Sequence, residues 1–120
     1  MLYYISGPIF GKEDRNEAMF RQAAEKLQQY GAETVVPHDI PVKPHVGECP
    51  AGRRSEGARH NEGCHLKADL GLLVQCDAIC LLPDWGLSIG ARLELSVAVS
   101  CGLSVWVYEA APFPGVRKLA

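Results

Sequence analysis

Four side chains could do chemistry together: Tyr4, Asp69, Ser88 and Glu94. Glu94 falls within the first two turns of a helix expected from about Ile89 to Cys101. The positive end of the helix dipole there favours an ionised carboxylate, the form that a nucleophile requires. Asp69 shares one helical face with Leu66, Leu70 and Leu73. A carboxylate among leucines loses solvation, which raises its pKa and suits a proton donor or a catalytic hydrogen-bond partner. Ser88 stands where an N-cap belongs, and its hydroxyl could instead hold a phosphate or sugar oxygen. Gly90 and Ala91 keep that helix entrance uncluttered. Tyr4, at the end of the first expected strand, could point its hydroxyl into the same cleft. Each also has an ordinary reading: Asp69 as a helix flank at the solvent edge, Glu94 as a surface glutamate of an amphipathic helix.

Two loops could complete a binding site. Gly7-Pro8-Ile9-Phe10-Gly11-Lys12 joins a strand to a helix, where Gly7 and Gly11 let backbone N–H groups approach an anion. The lysine-serine ending of a Walker A loop is missing. Asp84 and Trp85 precede the helix that carries Glu94, and a tryptophan there can stack on a nucleobase or fold back on the core. His45, Cys49, His60, Cys64 and His65 offer zinc-type donors, yet their spacing matches no compact zinc motif. Cys49, His60 and Cys64 are the metal candidates of that set, and no cofactor is expected. Cys76, Cys80 and Cys101 read as core cysteines.

The elements that must position these groups follow from periodicity. Leu2 to Ser6 is a short apolar strand stopped by Gly7-Pro8. Asp14 with Glu17 has the form of a capping box, and Phe20, Ala23, Ala24, Leu27 and Tyr30 then make a helical stripe ended by Gly31. Glu33 to Val36 is a second strand. Residues 37–60 carry prolines and glycines that break every period and form a long loop, with positive charge from Arg53, Arg54 and Arg59. Asn61 could cap a helix running to about Gln75. Asp77 to Leu82 is a buried strand, 83–88 a loop, and Leu103 to Tyr108 a fourth strand. The tail from Ala110, with Pro112 and Pro114, reads as irregular.

The order β-α-β-loop-α-β-α-β predicts a three-layer α/β domain: a flavodoxin/Rossmann-like parallel sheet of about four to five strands, with helices on both faces. Ligands of such sheets bind beyond the carboxyl ends of the strands, where loops 7–13, 37–60 and 83–88 should converge. The length of 120 residues fits a single domain spanning 1–120. A net charge of −2 without a basic cluster speaks against a nucleic-acid polymer as partner. The five cysteines form an odd count, and neither a signal-peptide pattern nor an apolar run of ~20 residues is present, so a soluble cytoplasmic protein without membrane attachment is expected.

Tyr4-Ile5-Ser6-Gly7-Pro8-Ile9, Ala68-Asp69-Leu70, Cys76-Asp77-Ala78 and Ser88 through Glu94 together resemble the nucleoside 2-deoxyribosyltransferase-like superfamily. The likeness is greatest to its short phage and bacterial domains of uncharacterised function. Gly11-Lys12-Glu13-Asp14-Arg15 also resembles a run in the deoxynucleoside 5′-monophosphate N-glycosidases. The resemblance covers most of residues 3–108 apart from the 37–60 loop. It implies a flavodoxin-like fold and a homo-oligomer, commonly a dimer, with active sites near the subunit interface. By the same resemblance Glu94 is the nucleophile that attacks the anomeric carbon, and Asp69 positions the sugar or handles the leaving base. Tyr4 then lies close to both sugar and nucleophile, and Ser88 binds a 5′-phosphate. Classical transferases carry a threonine after the glycine where this chain has Ala91, which separates it from them in recognition of the 5′ end.

The expected activity is cleavage of the N-glycosidic bond of a nucleoside or its 5′-monophosphate, by hydrolysis or by transfer. The rivals are a nucleotide-binding module without catalysis and a zinc-stapled interaction protein.

Overall fold

The computed structural model describes residues 1–42, 62–110 and 112–120. Five strands form one sheet: β1 (Leu2–Ser6), β2 (Glu33–Val35), β3 (Ala78–Leu81), β4 (Ser104–Glu109) and β5 (Gly115–Lys118). Three α-helices pack on it: α1 (Glu17–Gln29), α2 (Glu62–Leu73) and α3 (Ile89–Ser100). The strand order is β2-β1-β3-β4-β5. The first four strands are parallel, and β5 runs antiparallel to β4. This is the three-layer Rossmann-like α/β architecture that the alternation of elements predicts.

Side-chain alternation along β1 and β3 assigns the helices to faces. Tyr3, Ile5, Ala78, Cys80 and Leu82 pack with Phe20, Ala23, Ala24 and Leu27 of α1. Tyr4, Ile79 and Leu81 pack with Leu73 of α2 and Ala98 of α3 on the opposite face. The apolar stripe of α1 is therefore the reason that helix lies where it does. Chain direction reverses its march across the sheet between β1 and β3, where Tyr4 pairs with Ile79 and Ser6 with Leu81. Crevices at such switch points are the ligand sites of doubly wound sheets.

Several boundaries differ from expectation, each for a local reason. The tail is not irregular: residues 115–118 form β5, with Val107 opposite Arg117 and Tyr108 opposite Val116. Its short, half-polar run has no period of its own, and the exposed edge of β4 supplies the ladder. The Asp14 capping box does not form. Asp14, Arg15 and Asn16 instead adopt left-handed backbone angles (φ 48°, 56° and 59°), and α1 starts at Glu17. The Asn16 amide donates to the Pro8 carbonyl (2.9 Å) and so ties the turn to the first loop instead of capping the helix. The predicted loop at 37–60 lies outside the described residues from 43 onward; at its start Pro37–Asp39 forms a 3-10 turn, fastened to α1 by a two-pronged Arg21–Asp39 pair with both contacts at 2.7 Å. Arg53, Arg54 and Arg59 lie outside the described residues, as does the Asn61 cap. Among the described residues, no helix is long and apolar enough to cross a membrane.

Candidate active site

The carboxyl ends of β1 and β3 lie against the start of α3, and a closed hydrogen-bonded cluster forms there. Tyr4 Oη donates to Oε2 of Glu94 at 2.5 Å, and Ser6 Oγ donates to Oε1 at 2.7 Å. All three side chains are buried: Tyr4 and Ser6 are 0% exposed and Glu94 is 5% exposed. A buried carboxylate with a donor on each oxygen is fixed in orientation, and its hydrogen-bonding need is largely met within the protein.

The local sequence explains how these groups meet. Residues 4 and 6 of a strand share one face, here the face under α2 and α3. Ser88 is the N-cap of α3 and accepts from the Ala91 amide at 3.1 Å. That cap sets the helix phase, so Ala91, Glu94 and Ala98 all turn inward and are buried. The small Ala91 and Ala98 let the helix approach the sheet closely enough for Glu94 to reach Tyr4 and Ser6. Gly7 permits the matching approach on the strand side. A Cβ there would stand 2.7 Å from Cβ of Leu82, whose amide bonds the Ser6 carbonyl at 2.8 Å.

Asp69 approaches from α2. Leu73 of that helix is fully buried and Leu70 packs against the same core, so the helix face expected from the leucines is the one turned to the sheet. Burial pushes the Asp69 carboxyl up to about 8, and the charge of Glu94 adds to the rise; Arg15 and the Tyr4 hydroxyl oppose it. Glu94 is pushed up to about 7 by burial, against the stabilising hydroxyls of Tyr4 and Ser6. Burial, followed by the charges of Glu94 and Asp69, holds the Tyr4 phenol well above its ordinary value, so it remains a donor across the neutral range. The helix dipole thus does not set the state of Glu94 as the sequence suggests, because desolvation is the larger effect. Both carboxyls are thus shifted toward the protonated form, chiefly by burial.

The family model described as "Domain of unknown function (DUF4406)" matches residues 1–107. The chain belongs to that family. The DUF4406 chain is also similar to a solved structure titled "Crystal structure of conserved protein from Enterococcus faecalis V583". Identity is 18% and the TM-score 0.58, over 93% of this chain and 65% of the other. The likeness is therefore one of fold, and the chain spans just under two thirds of that structure. No curated protein matches the chain.

The remaining predicted site residues of this DUF4406 domain lie on the segments after β1 and β3 and at the start of α3. Pro8 is buried, and Ile9 is half-buried against the α1-side core. Gly11 has φ 80° with open space where a side chain would be, and Gly90 is similarly open, with only Ser88 Oγ at 4.0 Å. Lys12 and Asp84 pair at 3.8 Å and bring the loops at 7–12 and 83–88 together. Trp85 is half-buried and packs against the α2/α3-side core, the folded-back alternative of the sequence reading. The Ser88 hydroxyl is engaged as a cap. Cys49 and His60, with His45, lie outside the described residues; Cys64 is buried on α2. Among the described residues no cluster of three metal-binding side chains occurs. Cys76 and Cys80 are buried as expected, but Cys101 is exposed, because it follows the last turn of α3 rather than facing the sheet.

Ser6 is the site residue that the sequence reading missed. Its signal was available: a Tyr-x-Ser alternation in an apolar strand puts two hydroxyls on one buried face, where each needs a partner.

Proposed function

We propose that this protein cleaves the N-glycosidic bond of a nucleoside or nucleoside 5′-monophosphate, with Glu94 as nucleophile and Asp69 as proton donor. The observation that carries the reading is a buried carboxyl, Glu94, with a second, half-buried carboxyl, Asp69, close enough to act on it electrostatically at the carboxyl ends of β1 and β3. Glu94 is held by two hydroxyls on separate oxygens, and desolvation shifts Asp69 toward its protonated form. Carboxyl pairs whose environments separate their proton affinities divide acid and nucleophile roles in this way. The ordered resemblance to the nucleoside 2-deoxyribosyltransferase-like superfamily supports the same roles for the same residues.

In the proposed reaction an Oε atom of Glu94 bonds to the anomeric carbon as the carbon–nitrogen bond breaks. The Asp69 proton passes to the departing base. A water molecule or a second base then takes the sugar, its proton returns to Asp69, and Glu94 is released as carboxylate. Tyr4 steadies Glu94 through both steps. The loops that carry Gly11, Asp84 and Gly90 would bind the sugar, base and any phosphate; Trp85 and the Ser88 hydroxyl would first have to leave the core contact and the helix cap that engage them. The resemblance further supports a homodimer or higher homo-oligomer, and Leu87, Ile89 and Leu93 leave an apolar strip exposed at the start of α3.

The test is chromatographic detection of free base from common ribo- and deoxyribonucleosides and their 5′-monophosphates, with and without a second base. Glu94→Gln is expected to lower release on the order of 10³-fold or more. Full turnover in that variant would overturn the mechanism. Stable binding of an intact nucleotide with no release from any substrate would point to a non-catalytic binding module.

A further inference from the structure

We propose that Ser6 is a positioning residue for Glu94: its hydroxyl holds Oε1 so that the carboxylate presents one fixed orientation at the carboxyl ends of β1 and β3. This inference rests on the glycosidic reading for its catalytic meaning, but the placement of Ser6 stands on geometry alone.

The serine hydroxyl lies 2.7 Å from Oε1, and the side chain is 0% exposed. It sits on the last residue of β1, between two fixed points. Its carbonyl accepts the Leu82 amide at 2.8 Å, and the next residue, Gly7, is in close contact with Leu82. The donor is thus mounted on rigid backbone, so it can fix its acceptor with little freedom lost. Tyr4 secures only the other oxygen, and a carboxylate held at one oxygen can still swing about that bond. With both oxygens held, the carboxylate is restrained in rotation and in tilt.

Among the described residues, few groups face this carboxylate. Tyr4 and Ser6 come from β1 and Asp69 from α2, while Arg15 and Cys76 act on Asp69 and Tyr4 from further out. Burial disfavours the charged form, and the two hydroxyls oppose it. Removing one of them leaves burial less opposed, so protonation moves to higher pH.

The experiment is a titration of the Glu94 side-chain carboxyl by 13C NMR in ligand-free protein, assigned with Glu94→Gln. Ser6→Ala is expected to raise the midpoint by about one pH unit, the scale of losing a charge-assisted hydrogen bond. Ser6→Cys, with a weaker donor of similar size, is expected to give a smaller rise and carries the test if the alanine variant does not fold. In turnover, Ser6→Ala is expected to lower kcat about tenfold with KM little changed, and to move the acid limb upward with the carboxyl midpoint. A hydroxyl that only fills space would alter the unfolding midpoint and leave the carboxyl titration in place; an unmoved midpoint overturns the proposal. A moved midpoint with no base released from any substrate supports the placement and faults the proposed reaction instead.

Discussion

On one side of β1, Tyr3 and Ile5 meet Phe20, Ala23, Ala24 and Leu27 of α1 in an apolar and aromatic layer. On the other, Tyr4 and Ser6 meet Glu94 of α3, with Asp69 of α2 alongside. Both sides are buried, but burial has opposite consequences. Apolar surface removed from water stabilises the fold by roughly 25 cal/mol per Å². A carboxyl removed from water costs free energy that hydrogen bonds return only in part. Buried polar chemistry sits on a strand whose reverse face packs the core, so the stable face supports the costly one.

Several substitutions would break or sharpen that contrast. The largest effect is expected from Asp69→Asn. Base release should fall on the order of 10²–10⁴-fold, as for loss of a general acid. In the proposed reaction Glu94 acts ionised and Asp69 protonated, so wild-type activity should fall as pH drops through about 7 and again as pH rises through about 8. The asparagine variant should lose the alkaline limb and keep the acid one. The same change should raise stability. The folded-state pKa of Asp69 lies near 8 against an ordinary 3.8, so the folded state holds its proton more tightly. The stability this gives is present at low pH and is lost as pH rises from about 4 through about 8. Asp69→Asn should therefore unfold later than wild type at pH 8, by a few kcal/mol at most, and lose that advantage near pH 4. Urea titrations at the two pH values would check it, and equal shifts at both would contradict the burial argument.

Phe20→Ala probes the other face. It should cost about 3–5 kcal/mol in unfolding free energy, since Phe20 is 0% exposed. The carboxyl titrations of Glu94 and Asp69 should stay within a few tenths of a unit. A large movement there would mean that the two faces are coupled through β1. A smaller loss, about 1–3 kcal/mol, is expected from Gly7→Ala, which overpacks the contact with Leu82. Because that contact sets the spacing of the β1 and β3 ends, kcat should fall with it. Unchanged activity would show that the strand ends can shift without disturbing Glu94.

Much of the fold could be read before any coordinate. Apolar runs ended by Gly7-Pro8 and Pro83, a helical stripe ended by Gly31, and the alternation of elements predict the sheet and its layers. What escaped was structure made by partners distant in sequence. β5 exists because β4 offers an unpaired edge, and the left-handed Asp14-Arg15-Asn16 turn exists because Asn16 bonds Pro8 instead of capping α1. Residue type alone points Cys101 to the core, yet its place at a helix end puts it in solvent.

The candidate site divides along the same line. The sequence determined which residue types were available and on which elements: Tyr4 and Ser6 two apart on a strand, Asp69 among leucines on α2, Glu94 near the start of a capped helix. Local periodicity and capping depend on neighbours within a few residues, so these are legible in one dimension. Only the tertiary structure decided that Ser6 Oγ and Tyr4 Oη, 88 and 90 residues from Glu94, would close on its two oxygens. It also decided that burial, rather than the helix dipole, would shift both Glu94 and Asp69 toward their protonated forms. Desolvation depends on everything packed around a group, and that is fixed only when the sheet and both helices have met.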